Sequence, residues 1–208
     1  MRVRPISPAS LVDELADRLA STNRGGWLRV LVDGAPAAQP ELIADALVAP
    51  VRLRGRAVLR VSARDFLRPA SLRFERGRTD PDSFYDDWTD VDGLAREVLD
   101  PMRPGGTGAV RTTRWNTETD RASRAGSVPV PAGGTVLVDG PLLLGRGLPF
   151  DLTVHVELSP AALRRRTAVS EAWTLPAFDR YLDSVRPASV ADIVIRADDP
   201  RHPALVDR

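Results

Sequence analysis

The sequence contains no lysine: all 29 basic side chains among its 208 residues are arginine. It contains no cysteine either, which excludes disulfides, thiolate zinc sites and a cysteine nucleophile. Histidine is nearly absent. His155 and His202 are far apart, and His155 falls inside a strand pattern, so no metal centre and no histidine-based triad is expected. No apolar run approaches the roughly 18 residues of a membrane span, and the N-terminus lacks the apolar core of a signal peptide. A cytoplasmic location away from membranes is the expectation. Neither sign of charge is in excess, with a net charge of +1, so nucleic acid is not an expected partner. Arginine alone suits bidentate contacts to phosphate or carboxylate, and it fits equally well a compositional bias of the source genome.

What is present is enough apolar residue, 43%, for a real core in one domain spanning 1–208. Ser10 to Ser21 reads as an amphipathic helix with Leu11, Leu15 and Leu19 on one stripe, Ser10 as its N-cap and Asp13 three residues on. Arg24-Gly25-Gly26 ends it. Leu28 to Val32, Ala57 to Val61, Thr135 to Val138, Leu152 to Leu158 and Asp192 to Arg196 are short apolar runs that read as buried strands. Helical patterns follow over Leu42 to Leu47, Val91 to Asp100, Pro160 to about Trp173 and Pro176 to Val185. Two long connections, about 64–90 and 103–134, are rich in turn residues, and 198–208 reads as a polar tail. Strands alternating with helices predict an α/β fold with a parallel five-stranded sheet flanked by helices. Ligands in such folds bind at the carboxyl ends of the strands, where Gly34, Asp65 and Asp139 all fall.

The first strand carries the most informative segment. It ends in Asp33-Gly34, runs through Ala35-Pro36-Ala37-Ala38 and Gln39-Pro40-Glu41, and enters a helix. Strand, glycine turn and helix is the setting of the phosphate loop G-x-x-x-x-G-K-[ST]. Gly34 stands at the first glycine, but Gln39, Pro40 and Glu41 stand where glycine, lysine and Ser/Thr belong. Proline removes an N–H, and Glu41 puts a carboxylate where the helix dipole favours an anion. Proline at the first helical position with an acid beside it is also an ordinary helix start.

Further pieces resemble the uridine kinase family in order along the chain, from about Val30 to Pro200. They are Ser62-Ala63-Arg64-Asp65-Phe66-Leu67-Arg68, Arg76-Gly77-Arg78-Thr79-Asp80-Pro81-Asp82-Ser83-Phe84-Tyr85, Asp100-Pro101-Met102-Arg103-Pro104-Gly105-Gly106, Val138-Asp139-Gly140 and Leu163-Arg164-Arg165-Arg166. The resemblance implies a P-loop NTPase-type, nucleoside-kinase-like fold, a Walker-B-like acid at Asp139 before Gly140, and a lid at about 159–175 carrying Arg164, Arg165 and Arg166. It implies a substrate side at Arg64, Arg68 and Tyr85, and a catalytic base in the first strand-end motif. Arg64 stands at the family's base position, and Asp65 is one residue late. ATP and magnesium are the cofactors of the family. With lysine, hydroxyl and base all changed, the expectation is a uridine-kinase-like protein with a degraded phosphate loop. It would be a pseudokinase or a binder of a nucleoside, nucleotide or other small phosphorylated ligand. The alternatives are an active nucleoside or small-alcohol kinase whose phosphate site is built from Arg56, Arg60, Arg64 or Arg68, and a non-binding interaction scaffold. Trp88, Trp115 and Tyr85 read as packing residues, and Gly105-Gly106-Thr107-Gly108 as a plain loop.

Overall fold

Five apolar segments form a parallel sheet in a computed structural model that describes residues 2–22 and 25–207. These strands are β2 (Leu28–Gly34), β3 (Val58–Ser62), β4 (Thr135–Gly140), β5 (Leu152–Glu157) and β6 (Ile193–Arg196). All six residues of β4 are buried, as expected for a central strand covered on both faces. The sheet is wider than the sequence pattern implied. β1 (Arg2–Pro5) and β7 (Ala204–Asp207) add an antiparallel edge, giving the order β1-β7-β6-β5-β2-β4-β3. The 198–208 segment read as a tail therefore contains a strand. Its polar start hides a short apolar piece in which Leu205 and Val206 are buried.

Two helices pack beside the sheet ahead of the long connections. α1 (Pro8–Ser21) starts earlier than its apolar stripe suggested, because Ser7 rather than Ser10 is the N-cap. The Ser7 hydroxyl accepts from the Ser10 amide at 3.1 Å, and Pro8 supplies the preset first turn. The Gly25-Gly26 turn follows; Arg24, the first residue of the stop signal, lies outside the described residues. α2 (Pro40–Leu53) leaves the turn after β2.

The two long connections are short helices and hairpins. The first contains α3 (Pro81–Asp86), capped by the Asp80 carboxylate. α4 (Val91–Leu94) follows and runs on as a π-helical turn through Ala95–Leu99. The second connection folds into two small antiparallel pairs, Ala109–Arg111 with Ser127–Pro129 and Trp115–Asn116 with Arg121–Ala122. After β5, the long helix expected to reach Trp173 breaks. α5 (Pro160–Arg166) ends at Thr167, and a 3-10 turn, Val169–Thr174, leads to α6 (Leu175–Ser184). Thr167 is extended, and its hydroxyl donates to the Leu163 carbonyl at 2.7 Å. The side chain thereby competes with the backbone for the turn. No described helix is long and apolar enough to cross a membrane.

Candidate functional site

A cleft of about 730 Å³ opens at the carboxyl edge of the parallel strands, as expected for an open α/β sheet. One wall is the turn after β2. Residues Pro36–Ala38 form a single 3-10 turn, Gln39 is left-handed at φ 56°, and Pro40 opens α2 with Glu41 in its first turn. The Ala38 amide donates to Ala35 at 2.7 Å and the Gln39 amide to Pro36 at 3.0 Å. Pro36 and Pro40 have no amide to give. Of the backbone amide positions that a phosphate cradle would draw on, those of residues 36, 38, 39 and 40 are thus bonded internally or missing. Gly34 packs tightly against β5, where a Cβ would come within 3.1 Å of the Val156 carbonyl oxygen.

Asp33 is fully buried beneath this turn. Its Oδ2 lies 2.7 Å from His155 Nδ1 and accepts from the Tyr181 hydroxyl at 3.1 Å, while its Oδ1 accepts from the Leu143 amide at 3.1 Å. Tyr181 in turn accepts from the Leu144 amide. Burial, and next the adjacent Asp33 charge, hold the Tyr181 hydroxyl protonated well above its ordinary range. One carboxylate therefore ties β2, β5, α6 and the loop after β4 together.

Asp139, at the end of β4, is 3% exposed and lines the cleft. Arg60 Nη2 lies 2.9 Å from its Oδ1, and Arg60 Nε lies 3.2 Å from Asp45 of α2. Both contacts are ion pairs, and neither Arg60 Nε nor Asp139 Oδ1 has a hydrogen-bond partner among the described residues. Ser62 donates to the other Asp139 oxygen at 3.2 Å. Burial pushes the Asp139 carboxyl from 3.8 up to about 6; Arg60 and Ser62 oppose this, and Glu41 and Asp45 add to it. Gly140 follows where a Cβ would meet the Ala63 Cβ at 2.5 Å.

The opposite wall is aromatic. The Phe84 ring meets Trp88, Trp173 and Phe178 edge-on, with centroids 5.1–5.9 Å apart. Tyr85 lies beside it, with the Arg146 and Arg180 guanidinium groups 4.8 Å and 4.1 Å from its ring centroid. Arg146 also donates to the carbonyls of Tyr85 and Leu142. Arg73 and Arg78 stand over Phe74, 4.8 Å and 5.0 Å from its ring centroid.

The residues read from the sequence divide between this cleft and other places. Gly34, Ala35, Pro36, Ala37, Pro40, Glu41, Arg64, Tyr85, Asp139, Gly140 and Arg166 line it. Ala38 is core. Asp65, one residue beyond Arg64, is exposed; partial burial of its carboxyl raises its pKa, against Arg60 and Arg64. Arg68 faces a separate concavity of about 290 Å³, shared with Arg96, Arg111, Arg114 and Trp115, and lies 3.7 Å from Asp87. Arg164 pairs with Asp179 on the surface at 3.6 Å, and Arg165 is exposed. Of the arginines proposed to replace the lysine, Arg56 donates to the carbonyls of Leu19, Thr22 and Gly26, away from the cleft. Sequence reasoning missed Arg73, Arg78, Arg146 and the joining of Phe84, Trp88 and Trp173. These come from segments up to 100 residues apart, and no local spacing signals their meeting.

No protein-family model matches the sequence, and the search of curated proteins found no match. Among solved structures, the chain is similar to a possible uridine kinase from Bacillus stearothermophilus. The TM-score is 0.73 at 18% identity, covering 89% of this chain and 97% of that one. The chain has a uridine-kinase-like fold. A protein described as a candidate fructose transport system kinase, from Silicibacter sp. TM1040, superposes with a TM-score of 0.58 at 19% identity, covering 86% of this chain and 94% of that one. At these identities the likeness is one of architecture, and the chemistry rests on the side chains described above.

Proposed function

We propose that this protein binds a small nucleoside-type or phosphorylated ligand in the cleft and does not transfer phosphate from magnesium-ATP through the turn after β2. The observation that carries this reading is the turn itself. Phosphoryl transfer in this fold class relies on a backbone cradle, a lysine on the β/γ-phosphates, and a Ser/Thr hydroxyl that shares magnesium with the Walker-B acid. Here the cradle amides of Ala38 and Gln39 are bonded internally, and a proline and a glutamate open α2. The residues present do not fit magnesium-ATP. The helix N-terminus that would attract a phosphate has its own carboxylate, Glu41.

The aromatic wall and its arginines support ligand binding. Arg64 is exposed at the cleft and forms no hydrogen bond or ion pair among the described residues. Edge-on aromatic groups and an exposed guanidinium lining one cleft suit a ring carrying an anionic or hydroxylated substituent. The test is thermal melting with uridine, UMP and ribose 5-phosphate, beside a nucleotide-turnover assay with ATP. The expectation is a shift with at least one ligand, loss of that shift in Arg64→Glu with no change in the ligand-free melting point, and no turnover. Turnover that depends on Arg64 would favour the second reading, an arginine-based kinase. Absence of any shift would leave the interaction scaffold.

A further inference from the structure

Arg60 and Ser62 point to the same face of β3, two residues apart, and the register sets Ser62 beside Asp139. α2 covers that face with Glu41 and Asp45, one helical turn apart. Two carboxylates, Asp139 and Asp45, thus pair with one guanidinium that is mostly buried, 27% exposed, and the Glu41 charge adds to the field at Asp139. Each Asp139 oxygen already has a neighbour, Arg60 at Oδ1 and Ser62 at Oδ2. In the fold class, this strand-end acid is the protein's hold on magnesium, shared with a hydroxyl from the first turn of the following helix. That turn here offers Pro40 and Glu41 instead. A magnesium ion bound at the usual 2.0–2.1 Å from Oδ1 would sit against the Arg60 cation.

We infer that Arg60 is the resident cation of the Asp139 carboxylate: its guanidinium closes the position at which a divalent metal would bind, so that ligands enter this cleft without one. Arg60 is a positioning residue for Asp139, not a group that contacts ligand. This goes beyond the reading of the ligand, because it concerns the metal position alone and holds whatever the cleft binds. It also explains how Glu41 and Asp45 are tolerated beside the buried Asp139 carboxylate: the neutralising charge is covalently part of the chain.

The test uses the full-length protein and Mn²⁺ alone, following free Mn²⁺ by electron paramagnetic resonance. The native protein and Arg60→Lys, which keeps the cation, are expected to show no saturable Mn²⁺ site. Arg60→Met is expected to gain one, tighter than any native binding by on the order of tenfold or more, because a like charge has been removed from beside the ion. Adding Asp139→Asn to Arg60→Met is expected to abolish it. A merely structural role for Arg60 moves stability and creates no metal site. If Arg60→Met is only marginally folded, Mn²⁺ should raise its melting temperature and leave that of the double variant unchanged. The inference is overturned if the native protein binds Mn²⁺ in a manner lost in Asp139→Asn. It is equally overturned if Arg60→Met neither gains a site nor melts higher with Mn²⁺.

Discussion

The turn wall and the aromatic wall face the same cleft but differ in what their polar groups contact. In the turn, the amides of Ala38 and Gln39 bond within the loop, Asp33 is enclosed by His155, Tyr181 and the Leu143 amide, and Asp139 is paired with Arg60. On the aromatic side, Arg78 is exposed and stands over the Phe74 ring without an ion pair among the described residues, and Arg64 is exposed elsewhere in the same cleft. One wall pairs Asp33 and Asp139 internally. The other leaves the Arg78 guanidinium exposed over an apolar ring.

That contrast is broken most severely at Asp33. Asp33→Ala leaves the buried Tyr181 hydroxyl and His155 without their partner, and should cost about 3–5 kcal/mol in urea denaturation. A loss within experimental error would mean that the turn wall is not held as described. A smaller effect of comparable diagnostic value is expected at Asp139. Its folded-state carboxyl titrates near 6, against 3.8 for the ordinary group, so between those values the native state binds more protons than the unfolded chain. This contribution to stability is fully present below 3.8 and is lost as pH rises through about 6. Its size is at most about 3 kcal/mol. Asp139→Asn should flatten the stability profile across that window; an unchanged slope would remove Asp139 as its source.

On the aromatic wall, Phe84→Ala removes three edge-on ring contacts from a half-buried position and should lower stability by about 2 kcal/mol. It should weaken cleft ligands as well, which the loss of packing in a merely structural cluster would not do in proportion. The smallest effect belongs to Gln39. A left-handed non-glycine residue is strained by about 1–2 kcal/mol, and glycine restores part of that to the unfolded chain as entropy. Gln39→Gly should therefore raise stability by about 0.5 kcal/mol. A decrease on thermal melting would show that the Gln39 side chain contributes a contact outweighing the strain.

The parallel sheet was legible because each of its strands is a short apolar run bounded by turn residues, and so was the strand–turn–helix at Gly34. The antiparallel edge was not. Ala204–Asp207 is four residues long, and its partner Arg2–Pro5 lies at the other end of the chain, so neither carries a local signal. Of the residues that motif order singles out, Arg64, Tyr85, Asp139, Gly140 and Arg166 line one cleft. Arg68 and Asp65 were read with them from the same motif. The 3-10 turn Ala63–Phe66 rotates successive side chains away from one another, and a strand-period reading does not anticipate this. His155 was set aside as a strand residue. Its meeting with Asp33 follows from pairing of β5 with β2, which only the sheet order reveals.

The most direct measurement is calorimetric titration of the native protein with magnesium-ATP. The expected result is no saturable heat, because the turn offers a proline, a glutamate and internally bonded amides where the phosphates would lie. Saturable one-to-one binding at micromolar ATP, retained in Arg64→Glu and tightened in Glu41→Lys, would place the phosphates at the turn and contradict the account.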